Sequence, residues 1–321
     1  MGDGELRVKQ KFAIAVDAPV YALASYGHSS LVFSFGHEIS VRSLDWTSKK
    51  FVRVAQHELK SPCLRITTDA PYIYITTLMD STVILTLHNG TLIRHFSDTG
   101  TRIGQAHLAL LESQVLLVSD RARCVTGLWY PFDGPRGTSL QTVFEAELPS
   151  TIFQLRLATL RLPWRPRSAL PGVHNIGNEG AEIIGCGLNG SLFQFLVLSE
   201  QAWRLLRFIQ NLSVRNVTIH PFPEEDRVAS HIEPQETSPR SKHVDGDALG
   251  RLVASGSATL REMLDAKPRS EINGKSVMDF NSAAARMRRF STLVKELLGE
   301  ESGDPVAAAM EYVEALLTPV I

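Results

Sequence analysis

The sequence predicts a mainly β protein, a partial β-propeller of about four blades followed by a small α-helical C-terminal domain. Short apolar runs rich in β-branched and aromatic residues recur from Lys11 to Leu198, separated by turn residues at spacings of roughly 8 to 12. Asn89-Gly90 lies between two such runs, the strongest short hairpin signal a sequence offers. After Leu198 the apolar period lengthens from that of a strand to that of a helix.

The first strands expected are Lys11 to Val16, Val20 to Ser25, Leu31 to Phe35, Glu38 to Leu44 and Lys50 to His57, broken by Asp17-Ala18-Pro19, Gly27, Gly36 and Thr47-Ser48. Cys63 to Thr67, Tyr72 to Thr76, Thr82 to Leu87 and Thr91 to Phe96 follow, with Val83, Leu85 and Leu87 on one face. A third group runs through His107 to Leu111, Gln114 to Ser119, Cys124 to Tyr130 and Gln141 to Glu147, followed by Ile152 to Leu160. Pro163 to Gly180 reads as an exposed excursion before the strands Glu182 to Cys186 and Ser191 to Leu198.

Ser199 is then an N-cap candidate for a helix carrying Trp203, Leu206 and Ile209, which closes the β region at about residue 220. Residues 221–244, rich in proline and charge, read as a flexible linker. Residues 245–321 read as helical: Leu249, Leu252 and Val253 in one segment, and Ser276 to Leu298 with Val277, Phe280, Met287, Phe290, Val294 and Leu297 in the next. Asp304-Pro305 supplies an N-cap and first-turn proline for a last helix that turns Val306, Met310, Val313 and Leu317 inward.

The 321 residues carry 33 Lys+Arg against 34 Asp+Glu, which argues against a nucleic-acid binder driven by bulk charge. Hydrophobic residues at 44% suffice for a core. Cys63, Cys124 and Cys186 are far apart, without metal-ligand or disulfide spacing, and fit a reducing compartment. No apolar run follows the charges of the N-terminus and no window has the length of a membrane span, so neither secretion nor membrane insertion is expected. The N-x-[ST] triplets at Asn89, Asn211 and Asn216 then read as turn or surface residues.

Gly185-Cys186-Gly187-Leu188-Asn189-Gly190 matches the dinucleotide-binding glycine pattern, but that chemistry needs a helix opening at the third glycine, and Ser191 onward reads as a strand. A hairpin turn at Asn189-Gly190 is the expectation. Asp245-x-Asp247 lacks the later oxygen ligands of a calcium loop and reads as a helix cap. The histidines are scattered, and neither a nucleophile elbow nor a phosphate loop is present, so no enzymatic activity, cofactor or metal is expected. Arg286, Arg288 and Arg289 form a basic cluster that reads first as a solvated helix face and second as a contact for phosphate or an acidic partner. The acids from Glu300 onward are expected to neutralise it.

Four stretches carry a resemblance. They are Ser43-Leu44-Asp45-Trp46-Thr47, Thr77-Leu78-Met79-Asp80-Ser81-Thr82-Val83, Gly187-Leu188-Asn189-Gly190-Ser191-Leu192 with Trp203 and Gln210-Asn211 downstream, and Val244-Asp245-Gly246-Asp247. Together they resemble the C-terminal part of the family of the cleavage and polyadenylation specificity factor A subunit, the large damaged-DNA-binding subunit and the methyl methanesulfonate sensitivity adaptor. The resemblance runs from about Glu5 to the end of the chain. It implies part of a third propeller, about four blades of it, and hence a fragment or a half-propeller that needs a partner, with exposed edges near Phe12 and Ile152.

By the same resemblance the chain is a protein-interaction scaffold in a nuclear multiprotein complex. Its expected partners are cullin-ligase components and substrate receptors in the DNA-damage response, or alternatively RNA-processing factors with a weak direct nucleic-acid contact, and no membrane. The implied structural or docking positions are Trp46, Leu78, Met79, Asn189, Gly190, Trp203, Asp245, Gly246 and Asp247. Asp247, as the third residue of its triplet, and Thr47 look closer to the DNA-damage branch, and the RNA-processing branch stays open.

Overall fold

In the computed structural model, which describes residues 13–131, 134–158, 170–174, 176, 182–220, 232–235, 238–266, 282–299 and 303–318, the apolar runs become antiparallel meanders in chain order. The first sheet is β1 (Val20–Tyr26), β2 (Ser30–Phe35), β3 (Glu38–Asp45) and β4 (Lys50–Glu58). The second is β5 (Cys63–Asp69), β6 (Tyr72–Thr77), β7 (Thr82–His88) and β8 (Thr91–Ser97). The third takes β9 (Gly104–Leu110), β10 (Val115–Asp120), β11 (Cys124–Trp129) and β13 (Gln141–Glu147), while the short β12 (Thr138–Ser139) pairs in parallel with β8. The fourth is β14 (Ile152–Ala158), β16 (Glu182–Gly187) and β17 (Leu192–Phe195), and β15 (Val173–His174) pairs with β18 (Val197–Leu198). None of these sheets closes on itself. The protein is mainly β, a partial propeller-like array with a small helical C-terminal region, as the sequence predicts.

Alternation along the strands explains why the middle sheet reads as nearly continuous apolar sequence. Ile73, Ile75, Val83, Leu85 and Leu92 face one way and pack with Val32, Ile39, Val41 and Ala55 of the first sheet. Tyr74, Ile84 and Phe96 face the other way and pack with Leu116, Val118, Leu128 and Tyr130 of the third. A sheet covered on both faces needs apolar residues at both parities.

Three details differ from the expected elements. Residues 13–16 are not in a strand, and the remainder of the expected first strand lies outside the described residues. Ser191 to Leu198 is two strands, because the chain leaves one sheet at Leu196 and pairs with β15 instead. The helix expected from Ser276 begins at Ala283, with Ser282 as its cap, and residues 276–281 lie outside the described residues, as do most of the Pro163 to Gly180 excursion and of the 221–244 stretch.

Among the described residues the chain forms two compact units, the first running to Val143 and adding Glu147–Leu155 and Gly185–Phe193, the second taking the rest. The second unit is built on α1 (Glu200–Ser213), α2 (Gly246–Ser255), α3 (Ser257–Asp265), α4 (Ala283–Leu298) and α5 (Pro305–Leu317). Ser199 caps α1 through Ala202 N at 3.3 Å, and Asp304 with Pro305 starts α5 as the sequence indicates. The sequence groups α1 with the strands. In the structure Leu205, Leu206, Phe208, Ile209 and Leu212 of α1 are buried with Leu249, Leu260, Phe290, Val294 and Val313 from the other four helices. Among the described residues no helix is long and apolar enough to cross a membrane.

Candidate interaction surfaces

Successive strands run in opposite directions, so their connections fall alternately at the two ends of the sheets. At one end the connections are tied to each other by backbone hydrogen bonds. Leu78 N donates to Pro62 O, Ser81 N to Arg102 O, Arg121 N to Ile103 O, Leu148 N to Arg123 O and Leu188 N to Thr151 O, all within 2.8 to 3.1 Å. Two of the four family-like stretches sit here.

In the connection from β6 to β7, Met79 N donates to Ser61 Oγ at 3.3 Å and Asp80 N to Thr77 Oγ1 at 3.0 Å. Ser81 takes a positive φ of 59° and donates its hydroxyl to Asp98 at 2.5 Å, while Asp98 pairs with Arg102. This anchoring leaves Leu78 half-buried and Met79 64% exposed at the tip. Between β16 and β17, Asn189 and Gly190 form the expected hairpin turn. Gly187 N donates to Ser191 O, Gly190 has a φ of 84°, and Asn189 Oδ1 accepts from Ser191 N and Oγ. The strand β17 follows Gly190, where the dinucleotide pattern requires a helix to open.

Trp46 lies at the other end, in the turn from β3 to β4, and is 74% exposed. Asp45 holds the turn by accepting from Thr47 N at 2.9 Å and Ser48 N at 3.3 Å, an arrangement that lets an Asp mimic a backbone turn. Hydrogen bonds from Ser48 and Thr47 keep its carboxyl below its ordinary pKa.

The remaining sequence-derived positions belong to the second unit. Trp203 is buried on α1 and donates Nε1–H to Ser241 O at 3.2 Å. Arg207 donates to His243 O, and Gln210 Oε1 accepts from Asp245 N at 2.8 Å, so residues 241–245 run along α1. Asp245 caps α2 by accepting from Asp247 N at 2.9 Å, with Gly246 and Asp247 in the first turn.

The three arginines point in three directions. Arg286 is 4% exposed and donates to the carbonyls of Leu264 and Ala266 at the end of α3, where a cation complements the helix dipole. Arg289 pairs with Glu233 at 2.6 Å. Arg288 is exposed. Of the acids expected to neutralise this cluster, Asp304 pairs instead with Arg261 of α3, and Glu300 and Glu301 lie outside the described residues.

Sequence reasoning missed His107, which is buried between the second and third sheets, with Nδ1 2.6 Å from Thr76 Oγ1 and Nε2 2.6 Å from Thr67 Oγ1. One ring nitrogen donates and the other accepts, the pattern of a neutral imidazole. Burial, then the positive charge of Arg65, lowers its pKa to about 3. Burial likewise pushes the Cys63 thiol up to about 12, which keeps it a thiol at neutral pH. No strand pattern announces His107, because its signal is cross-sheet pairing. Among the described residues no three His, Cys, Asp or Glu side chains gather as metal ligands would.

The model of the protein family described as the CPSF A subunit region matches residues 2–228. No curated protein matches the chain.

Proposed function

The chain belongs to the family of the CPSF A subunit region, and from that premise we propose that it is a non-enzymatic protein-interaction scaffold in a nuclear multiprotein complex. The membership supports a scaffold role within such a complex. The observation that carries the docking side of the reading is the placement of Trp46 and Met79, large apolar side chains left exposed at the tips of turns anchored by side-chain hydrogen bonds. Tryptophan is a residue that binding hot spots favour and methionine is enriched in interface cores, and the anchored turns leave little loop entropy to be lost on docking.

In this reading Leu78, Asn189, Gly190, Trp203 and Asp245 to Asp247 shape the turns and caps, Trp46 and Met79 dock, and Arg288 is what remains of the basic contact. The assembly we favour is a cullin-type ubiquitin ligase acting in the DNA-damage response, with this chain as the C-terminal part of its adaptor. The second reading, a subunit of a messenger-RNA cleavage or splicing complex with a direct RNA contact, is favoured by the description of the matched family itself. Aromatic residues at 7% leave few stacking platforms for single-stranded RNA.

Purification of the endogenous protein from nuclear extract separates the two. Recovery with a cullin and substrate receptors is the expected outcome. Polyadenylation or splicing factors would establish the second reading, and a chain recovered alone would overturn the scaffold role.

A further inference from the structure

Three hydroxyl residues of the chain are followed by proline, in Ser61-Pro62, Ser238-Pro239 and Thr318-Pro319. A proline at that place selects for kinases whose next subsite offers no partner to a backbone N–H, because proline has none to donate. The structure separates the three. Ser61 is 3% exposed and its Oγ accepts from Met79 N, while Thr318, though exposed, donates its hydroxyl to Glu314 O at 2.7 Å at the end of α5. Ser238 is exposed, and among the described residues its hydroxyl makes no hydrogen bond.

Ser238 lies between two stretches that are tied to α1. On one side Asn211 Nδ2 donates to Ile232 O at 3.1 Å, and on the other the bonds to Trp203, Arg207 and Gln210 begin at Ser241. Ser238 itself has extended backbone, φ −118° and ψ 134°, as contact with the following proline ring favours. The charge around it suits an anion. Arg240 and Lys242 follow and are exposed, and Arg240 pairs with Glu145 at 3.5 Å with 83% of its side chain exposed, a surface pair of little worth. Among the described residues Lys242 makes no ion pair. The acids flanking this stretch are Glu233, which Arg289 takes up, Asp245, which caps α2, and Glu236, which lies outside the described residues.

We propose that Ser238 is a phosphorylation site for a proline-directed serine/threonine kinase, and that the phosphate takes Arg240 from Glu145. In the transfer the Ser238 oxygen forms a bond to the γ-phosphorus of ATP, the bond to the β,γ-bridging oxygen breaks to leave ADP, and the hydroxyl proton passes to the kinase's catalytic aspartate. The product carries a charge of about −1.5 to −2 and three acceptor oxygens. It stands two residues from Arg240, against a single carboxylate at 3.5 Å, so the guanidinium exchanges partners.

The test is incubation of the full folded chain with ATP and, separately, a purified cyclin-dependent kinase and a purified mitogen-activated kinase, with the modified residue located by tandem mass spectrometry. A synthetic peptide of residues 232–246 is the control for recognition of the bare sequence. At least one kinase is expected to place phosphate on Ser238 ahead of Ser61 and Thr318, and incorporation to fall at least tenfold in Ser238→Ala and in Pro239→Ala. The phosphorus resonance of the modified chain should then titrate at a lower pH than in Arg240→Gln, because a cation beside the phosphate favours its dianion. A folded chain that neither kinase modifies at Ser238, whether or not the peptide is a substrate, would overturn the site, as would modification of Thr318 in preference. Equal titration in the two proteins would overturn the exchange of partners by Arg240.

Discussion

The residues that most define this protein hold its sheets and helices together. His107 is neutral because it is buried between two threonine hydroxyls. Its folded pKa of about 3 lies below the ordinary 6.5, so between those values the unfolded chain binds a proton that the folded one does not. Stability from this group is therefore complete above pH 6.5 and declines as pH falls toward about 3. Denaturant unfolding at pH 7 and pH 5 should show a loss of stability on acidification that is smaller in His107→Gln, and an equal loss in both proteins would contradict that assignment. Trp203 makes the corresponding case in the helical unit. Trp203→Ala should cost about 3 to 5 kcal/mol, the range for truncating a buried large aromatic. Trp203→Phe should cost about 1 kcal/mol, chiefly the hydrogen bond to Ser241 O. A melting temperature unchanged in Trp203→Ala would remove the claim that the ring is structural.

At the scale of the element, caps and glycines decide where strands and helices begin. Asp245→Ala removes the side chain that accepts from Asp247 N at the start of α2 and should destabilise by about 1 kcal/mol, with Asp245→Asn close to neutral. Calorimetry on the three proteins checks this, and it separates a capping role from a docking role for the Asp245-Gly246-Asp247 triplet, since docking alone would leave stability untouched. At the start of β9, a Cβ on Gly104 would lie well inside contact distance of Thr76 Cγ2 and 3.2 Å from Thr77 O. Gly104→Ala should therefore cost about 1 to 3 kcal/mol, the usual range for overpacking. The strands themselves were legible in the sequence because β-branched runs bounded by Gly, Asn and Pro leave few alternatives: the Asn89-Gly90 and Asn189-Gly190 turns and the Ser199 and Asp304 caps stand where local chemistry puts them. Residues 13–16 misled because an apolar run becomes a strand only when a neighbouring strand pairs with it.

For the molecule as a whole, the order of four β-meanders and then helices could be read from periodicity, whereas the side chains available for contact could not. Arg286, Arg288 and Arg289 read as one basic patch, yet Arg288, two residues from Arg286, lies on another face of α4, while Arg286 is taken up by the carbonyls at the end of α3 and Arg289 by Glu233. The His107 bridge depends on register and on which sheets stack, information that no single segment contains. Trp46 and Met79 were visible as motif positions, and only the structure shows them exposed on anchored turns. The central claim is that this chain works by presenting such side chains to partner proteins. Co-purification from nuclear extract, comparing the wild type with a Trp46→Ala, Met79→Ala double variant, tests it most directly. Both side chains are exposed, so the double variant should keep the wild-type melting temperature while losing most of the co-purifying subunits. A wild-type chain recovered without partners, or a double variant that recovers the full set, would contradict the account.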